Sequence, residues 1–419
     1  MNFVKRRSGE LFAEGVSVAQ LAQQYGTPLY VYSKAEIEAA YLSYRDGMKD
    51  RAHLICYAVK ANSNLAVLGI LARLGAGFDI VSAGELARVI RAGGNPEKVV
   101  FSGVAKSCAD IEAGLEAGIL CFNVESLPEL ERIQELASSN GIRARVSVRV
   151  NPDVDAQTHP YISTGLRENK FGINIDDALE VYQRAAAMSQ IDIVGIDFHI
   201  GSQLTTINPF VDALQRAMVL VDTLQQQGVT LEHIDVGGGL GVRYKDEQPP
   251  RTAAYLDALL RVMHERDQTL IIEPGRSIVA NAGVLLTQVE YLKDNGDKHF
   301  AIVDAAMNDM IRPALYSAWL DIIEVQQGMQ ERHVYDVVGP VCETGDFLGK
   351  DRELAISAGD LLLVASSGAY GFTMASNYNS RCRAAEVMVD GNDSHLVRAR
   401  ESVVDLFRGE SLLPDSVGT

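Results

Sequence analysis

From about residue 54 the chain alternates two hydrophobic rhythms. Short apolar runs rich in β-branched residues give way to longer segments whose apolar positions recur at i, i+3 and i+4. The runs are LICYAV, GFDIVS, KVVFSG, ILCFNVES, ARVSVRVNP, IVGIDFHIG, HIDVGGG and TLIIEPG. Segments such as LAVLGILARLG and AGELARVIRAGG between them carry the helical period and end in glycine. Repeated strand–helix units predict a parallel sheet. Eight of them predict an α/β fold built on a closed (β/α)8 barrel of the TIM type. After about Ala280 the rhythm changes. VLLTQVEYLK, HFAIVDAA, HVYDVVGP, ELAISAGDLLLVASS and EVMVDG follow one another without long helices and are broken by Gly or Asp turns. This predicts a mostly antiparallel C-terminal β domain. The expected division is a barrel over 27–280 and a β domain over 281–419, with residues 1–26 joined to the latter.

Composition narrows the function. The chain has 419 residues, 47% apolar and 22% charged, with a net charge of -17. That balance excludes a large nucleic-acid surface, and the trio Lys5–Arg7 is too short to make one. No apolar run is long enough to span a membrane. The N-terminus has basic residues but no apolar core of a signal peptide. The five cysteines are scattered and odd in number, with no CxxC or Cys/His pairing. No metal site is expected, and a reducing cytoplasm fits best.

The polar ends of the strand runs carry the chemistry. They are Lys60, Asp79, Ser102, Glu125, Arg149, His199, Gly237 to Gly239, and Glu273. Barrel active sites gather where such ends converge. In YAVKANSN, Tyr57 to Asn64, an apolar run stops at Lys60. Burial there depresses the ammonium's pKa and leaves an amine able to condense with an aldehyde such as pyridoxal 5′-phosphate (PLP). A lysine snorkelling at a strand end is the plainer alternative. GGGLG, Gly237 to Gly241, exposes backbone N–H groups to an anion. EPGR, Glu273 to Arg276, ends the next run, and barrel phosphate sites often use these two loops. Glu273 could be a turn carboxylate, or it could keep a pyridine nitrogen protonated. His199 could be a core histidine, or it could stack on an aromatic cofactor.

YAVKANSN, FDIVSAGE, FHIGSQ, DVGGGLG, EPGR, MNDMIRPALY, GPVCETGDFLG and GAYGFTMASNYNSR occur in this order from about residue 20 to residue 410. Together they resemble the diaminopimelate decarboxylase family, PLP-dependent, alanine-racemase-like (fold type III) decarboxylases. The resemblance implies decarboxylation of meso-2,6-diaminopimelate to L-lysine and CO2, the last step of lysine biosynthesis. It implies that Lys60 bears the cofactor, that His199 stacks on its ring and that Glu273 meets its pyridine nitrogen. Asp79, Ser202, Gly238, Gly239, Pro274, Gly275, Arg276 and Tyr370 would complete the cofactor site. Arg276, Arg312, Tyr316 and Tyr370 would contact substrate, with Glu343 reading its distal ammonium. Cys342 would donate a proton. In this family that cysteine comes from the partner subunit, so a homodimer with shared sites is also implied.

The residue types suit these tasks, since an arginine offers a planar fork to a distal carboxylate. Taken alone, Arg312 could be a surface ion-pair partner and Cys342 a small buried hydrophobe. One departure from the family pattern is visible: Cys382 and Ala384 follow YNSR where prolines are usual. This touches the chain's path, not its chemistry. The nearest rival is another basic amino acid decarboxylase of the group, acting on ornithine, arginine or carboxynorspermidine. MNDMIRPALY and CETGDFLG argue against it. A racemase lacks support, because no matching tyrosine base is found. A non-catalytic PLP-carrying protein resembles only the barrel.

Overall fold

The computed structural model describes residues 3–154, 170–296 and 298–413. Cα packing divides them into two compact units. The first holds Ser33–Gly283 and Ser366–Thr373, and the second Val4–Tyr32, Val284–Ala365 and the described chain from Met374.

The first unit is a closed parallel barrel. Its strands, numbered in chain order, are β1 (His53–Ala58), β2 (Gly77–Ile80), β3 (Val99–Phe101), β4 (Cys121–Val124), β5 (Ala144–Asn151), β6 (Ile191–Asp197), β7 (His233–Asp235) and β8 (Thr269–Ile272). Each pairs in parallel with the next, and β8 pairs with β1, which closes the ring. All eight apolar runs of the sequence become these strands. Helices α2 (Leu65–Arg73), α3 (Ala83–Arg91), α4 (Cys108–Ala117) and α5 (Leu127–Asn140) follow β1 to β4. Several polar residues just past the strand ends start these helices. Asn64, Ser82, Ser107 and Ser126 each accept a backbone N–H of the first turn, a cap worth about 1 kcal/mol.

Helices α6 (Ala178–Ala186), α7 (Asn208–Gln226) and α8 (Thr252–Val262) follow β5 to β7, whereas α9 (Arg276–Val279) after β8 is one turn. The helix before β1, α1 (Lys34–Gly47), packs against α8, α9 and α2 and covers that gap. At one level of the barrel interior Cys56, Val100, Cys121, Val194 and Ile271 form an apolar plug, with Leu54 and Leu120 against it. Toward the C-terminal strand ends the inward side chains become charged.

The second unit is a mostly antiparallel sheet. Its strands run in the order Phe347–Leu354, His333–Val338, Lys298–Val303, Gly283–Asn295, Leu29–Ser33, Ala385–Asp390 and Asp393–Arg398. Leu361–Val364 and Ile322–Glu324 extend it in antiparallel pairs, and Lys298–Val303 pairs in parallel with His333–Val338. The N-terminal strand Leu29–Ser33 is buried along its whole length inside this sheet.

One late segment lies with the barrel. In Ser366–Thr373, Ser367 and Gly368 N–H groups donate to Gly283 and Ala280 carbonyls at 2.8 and 3.1 Å. The Tyr370 N–H donates to Ala61 O at 2.8 Å, and Asn62 Nδ2 to Gly368 O at 3.0 Å. A short irregular segment has no hydrophobic period, so the sequence rhythm assigns it with its chain neighbours.

Candidate active site

Lys60 stands in a short 3₁₀ turn, Val59–Ala61, directly after β1. Its Nζ donates to Asp79 Oδ2 of β2 at 2.8 Å. The lysine side chain keeps 39% of its surface accessible, enough for a reactant to reach it, whereas Asp79 is fully covered. Burial pulls the ammonium's pKa down, as expected from sequence. The charge of Asp79, with Glu273 behind it, outweighs that and holds Lys60 above the ordinary lysine value. Desolvation, the one effect legible in the sequence, therefore gives the wrong direction for this lysine. Asp79 lies 19 positions away, and only strand neighbours in the closed barrel bring the two together.

Across the barrel, β6 ends in Asp197, β7 in Asp235, and Glu273 follows β8. One carboxylate oxygen from each lies within 4.8 Å of the other two. Arg149 of β5 sits beside the group. Its Nη1 donates to Glu125 Oε1 at 3.1 Å and its Nε lies 3.7 Å from Asp197 Oδ2. Burial pushes Asp197 up to about 7 against the pull of Arg149. Burial, then neighbouring carboxylates, pushes Asp235 and Glu273 well above the ordinary carboxylate range. Sequence reasoning did not single out Asp197 or Asp235 and gave Arg149 no role. The available signal was strand alternation, because Asp197 and Asp235 precede His199 and Gly237 by two positions and share their face.

The loops after β6, β7 and β8 interlock through backbone. Glu273 N–H donates to Gly237 O at 2.9 Å, Leu204 N–H to Gly239 O at 2.9 Å and Ala58 N–H to Pro274 O at 3.2 Å. The glycines are sterically required. A Cβ on Gly238 would stand 2.2 Å from Glu273 O, and one on Gly239, at φ +118, 2.4 Å from Gly201 O. His199 Nδ1 accepts the Gly238 N–H at 3.2 Å. The proton of its neutral ring is therefore on Nε2. Burial, then Arg149 and Lys60, holds His199 well below the usual imidazole range, so the ring is neutral.

Arg276 opens α9. Its Nη2 donates to Ser202 Oγ at 2.9 Å and its Nη1 to Tyr244 Oη at 2.8 Å. Its guanidinium lies 4.8 Å from the Tyr370 ring centre. A Cβ on Gly275 would approach Ala58 and Ala61 Cβ at 3.0 Å, which explains the glycine of EPGR. Lys60, Asp79, His199, Ser202, Gly238, Gly239, Glu273, Pro274, Gly275, Arg276 and Tyr370 thus all belong to the barrel unit.

The other four candidates belong to the second unit. Arg312 and Tyr316 are the first and last residues of a five-residue helix, and Arg312 is buried rather than a surface ion-pair partner. Asp346 ties the GPVCETGD loop, its carboxylate accepting Met307 N–H at 2.6 Å and Val341 N–H at 2.8 Å. Cys342 is exposed, not a small buried hydrophobe, and its N–H donates to Asn379 Oδ1 at 2.8 Å. The Tyr378 hydroxyl donates to Glu343 Oε2 at 2.9 Å. Arg381 Nε donates to Asn308 Oδ1 at 3.1 Å. Three separate motifs, MNDMIRPALY, GPVCETGDFLG and MASNYNSR, are knitted together by these bonds.

Residues 34–280 match the family model described as the pyridoxal binding domain of pyridoxal-dependent decarboxylases. The diaminopimelate decarboxylase of Pseudomonas aeruginosa is 62% identical over 99% of this chain and 100% of its own length. The chain belongs to the diaminopimelate decarboxylases. Solved structures of this family share its fold. The diaminopimelate decarboxylase of M. jannaschii, in co-complex with L-lysine, is 39% identical with a TM-score of 0.94, covering 99% of this chain and 98% of that one. The Helicobacter pylori enzyme complexed with L-lysine is 45% identical with a TM-score of 0.90, covering 93% and 98%. Among the described residues no helix is long and apolar enough to cross a membrane.

Proposed function

We infer that the chain is a PLP-dependent carboxy-lyase that converts meso-2,6-diaminopimelate to L-lysine and CO2. The observation that carries this is the Lys60–Asp79 pair at the C-terminal end of a closed barrel whose eighth strand leads into Glu273 and Arg276. The cofactor fits the residues present. Its aldehyde needs an amine, and Lys60, with 39% of its side chain accessible at the strand ends, offers one. Its pyridine nitrogen needs a carboxylate, and the buried Glu273 Oε1 has no hydrogen-bond partner. Its phosphate needs a close backbone approach and donors, which Gly238, Gly239, Gly275, Ser202, Arg276 and Tyr370 offer. His199, neutral, offers a ring face. When bound, PLP supplies an electron sink for the charge left as CO2 departs.

The chain's own residues do the rest. Asp79 holds the Lys60 proton until the amine is needed. Arg276 orients an anion while its stack on Tyr370 limits its freedom. Arg312 and Tyr316 grip the distal carboxylate of the substrate and Glu343 its distal ammonium. Cys342, exposed and backed by Asn379, delivers a proton from Sγ to the substrate carbon. We propose that Cys342 and Glu343 act across a homodimer, each site being completed by the partner subunit, and that the enzyme works in the cytoplasm. No disulfide links its five cysteines, all among the described residues, which suits a reducing compartment. A panel of basic amino acids with CO2 release as readout tests the substrate. Turnover of ornithine comparable to that of meso-diaminopimelate refutes the choice. Arg312→Ala should cost roughly 2–5 kcal/mol in transition-state binding through the unpaired substrate carboxylate.

A further inference from the structure

Among the described residues, four buried carboxylate oxygens lack a hydrogen-bond partner: Asp79 Oδ1, Asp197 Oδ1, Asp235 Oδ2 and Glu273 Oε1. All lie in the barrel. Cations account for two of these groups. Asp79 is paired with Lys60, and Asp197 lies beside Arg149, which also bonds Glu125. Asp235 and Glu273 have no ion pair of their own among the described residues. Asp235 Oδ1 accepts the Gly237 N–H at 2.9 Å, which leaves Oδ2 facing the other carboxylates. Two carboxylates this close and this deeply buried cannot both stay ionised without a cation. A proton on one of them turns an unmatched acceptor into a donor.

We propose that Asp235 is a positioning residue: it takes up one proton from solvent, donates it in a hydrogen bond to Glu273, and so fixes the carboxylate that faces the cofactor's pyridine nitrogen. The location favours Asp235 as the proton carrier. It lies between Asp197 on β6 and Glu273 after β8, whereas the Lys60 charge favours the ionised form of Glu273. Glu273 stays ionised and can meet the cationic ring nitrogen. The groups facing Asp235 include Asp197, Asp79, Glu273, the thiols of Cys56 and Cys121 and the Tyr255 phenol. All of these are acidic, and burial with the charge of Asp197 raises its pKa. This inference rests on the assignment of Glu273 to the cofactor and deepens it.

The test begins on apoprotein, so that it does not depend on cofactor chemistry. Infrared spectra of wild type and Asp235→Asn, both with ¹³C-carboxyl aspartate, are compared near neutral pH. The wild type should show a carboxylic-acid C=O band that the variant lacks. PLP affinity is then measured for Asp235→Asn, which keeps a donor, and Asp235→Leu, which has none. The leucine variant should bind PLP about 10- to 100-fold more weakly than the asparagine variant, the range expected for a lost hydrogen bond to a charged group. If no acid band disappears, Asp235 is ionised or holds a cation, and the proposal fails. Equal affinities with the band lost would also overturn it, because the proton would then position nothing. If the leucine variant does not fold, the infrared comparison decides alone. Failure of the wild type to bind PLP would sink the functional reading while leaving the infrared result intact.

Discussion

Replacing Asp79 by asparagine keeps the shape of the side chain and removes its charge. The Lys60 ammonium is then left with burial pulling its pKa down and with less to oppose it. Two unit charges 2.8 Å apart attract by about 6 kcal/mol at an effective dielectric of about 20. Lys60 retains 39% of its side-chain surface, so solvent screening reduces this. Taking about half leaves about 3 kcal/mol, equivalent to about 2 pH units. Only the unprotonated amine attacks an aldehyde. The rate at which apoprotein captures PLP should therefore rise with pH in both proteins, with the rise about 2 units more acidic in Asp79→Asn. Stopped-flow absorbance across the neutral-to-alkaline range reads the capture. Borohydride reduction and peptide mapping verify that the cofactor is on Lys60, and circular dichroism verifies the fold. A profile that stays in place, or moves to higher pH, refutes the claim that Asp79 controls this proton. Cofactor trapped on another lysine refutes the site itself.

Gly238→Ala places a Cβ 2.2 Å from Glu273 O, so the backbone must shift. Urea unfolding of the apoprotein should show a loss of about 1–3 kcal/mol, and an unchanged midpoint would contradict the interlocked loops. In the second unit, burial raises Asp309 to about 7. The folded state thus binds its proton more tightly than the unfolded chain, and stability from this group is present at acid pH and lost as pH rises toward 7. The slope is at most about 1.4 kcal/mol per pH unit. Asp309→Asn should flatten that fall in unfolding curves between mildly acidic and neutral pH, and an equal slope in both proteins would show the group ionised throughout. Inactive Lys60→Ala and Cys342→Ala proteins, mixed and allowed to exchange subunits, should regain about a quarter of the sites of a symmetric dimer. A mixture that stays dead after verified exchange places both residues in one chain's site.

The barrel was legible because the strand runs are mostly apolar and each stops at residues that make poor strand interior. Lys60, His199, Gly238, Glu273 and Arg276 announced themselves as poor strand interior. Asp197 and Asp235 did not, because each is the last residue of a strand whose next inward position carries the more conspicuous His199 or Gly237. The direction of the Lys60 shift was illegible for a different reason. It depends on Asp79, and only the closed barrel fixes that distance. Tyr370 was found by resemblance, but its membership of the barrel unit was not. That membership is written in backbone hydrogen bonds, which leave no periodic trace in side-chain chemistry.

The late return of Ser366–Thr373 to the barrel has a consequence for synthesis. A growing chain has all eight strands once Ile272 has emerged, and a barrel can close then. Its lysine-bearing turn is still unfinished. The N–H that caps Ala61 and the ring that packs on Arg276 both belong to Tyr370. Tyr370 is translated only after Gly283–Asn295, Lys298–Val303, His333–Val338, Phe347–Leu354 and Leu361–Val364. Under the role proposed for Tyr370, cofactor capture follows translation of most of the other unit. A ribosome-bound fragment ending near residue 280 would hold Lys60 and Glu273 and yet grip PLP poorly.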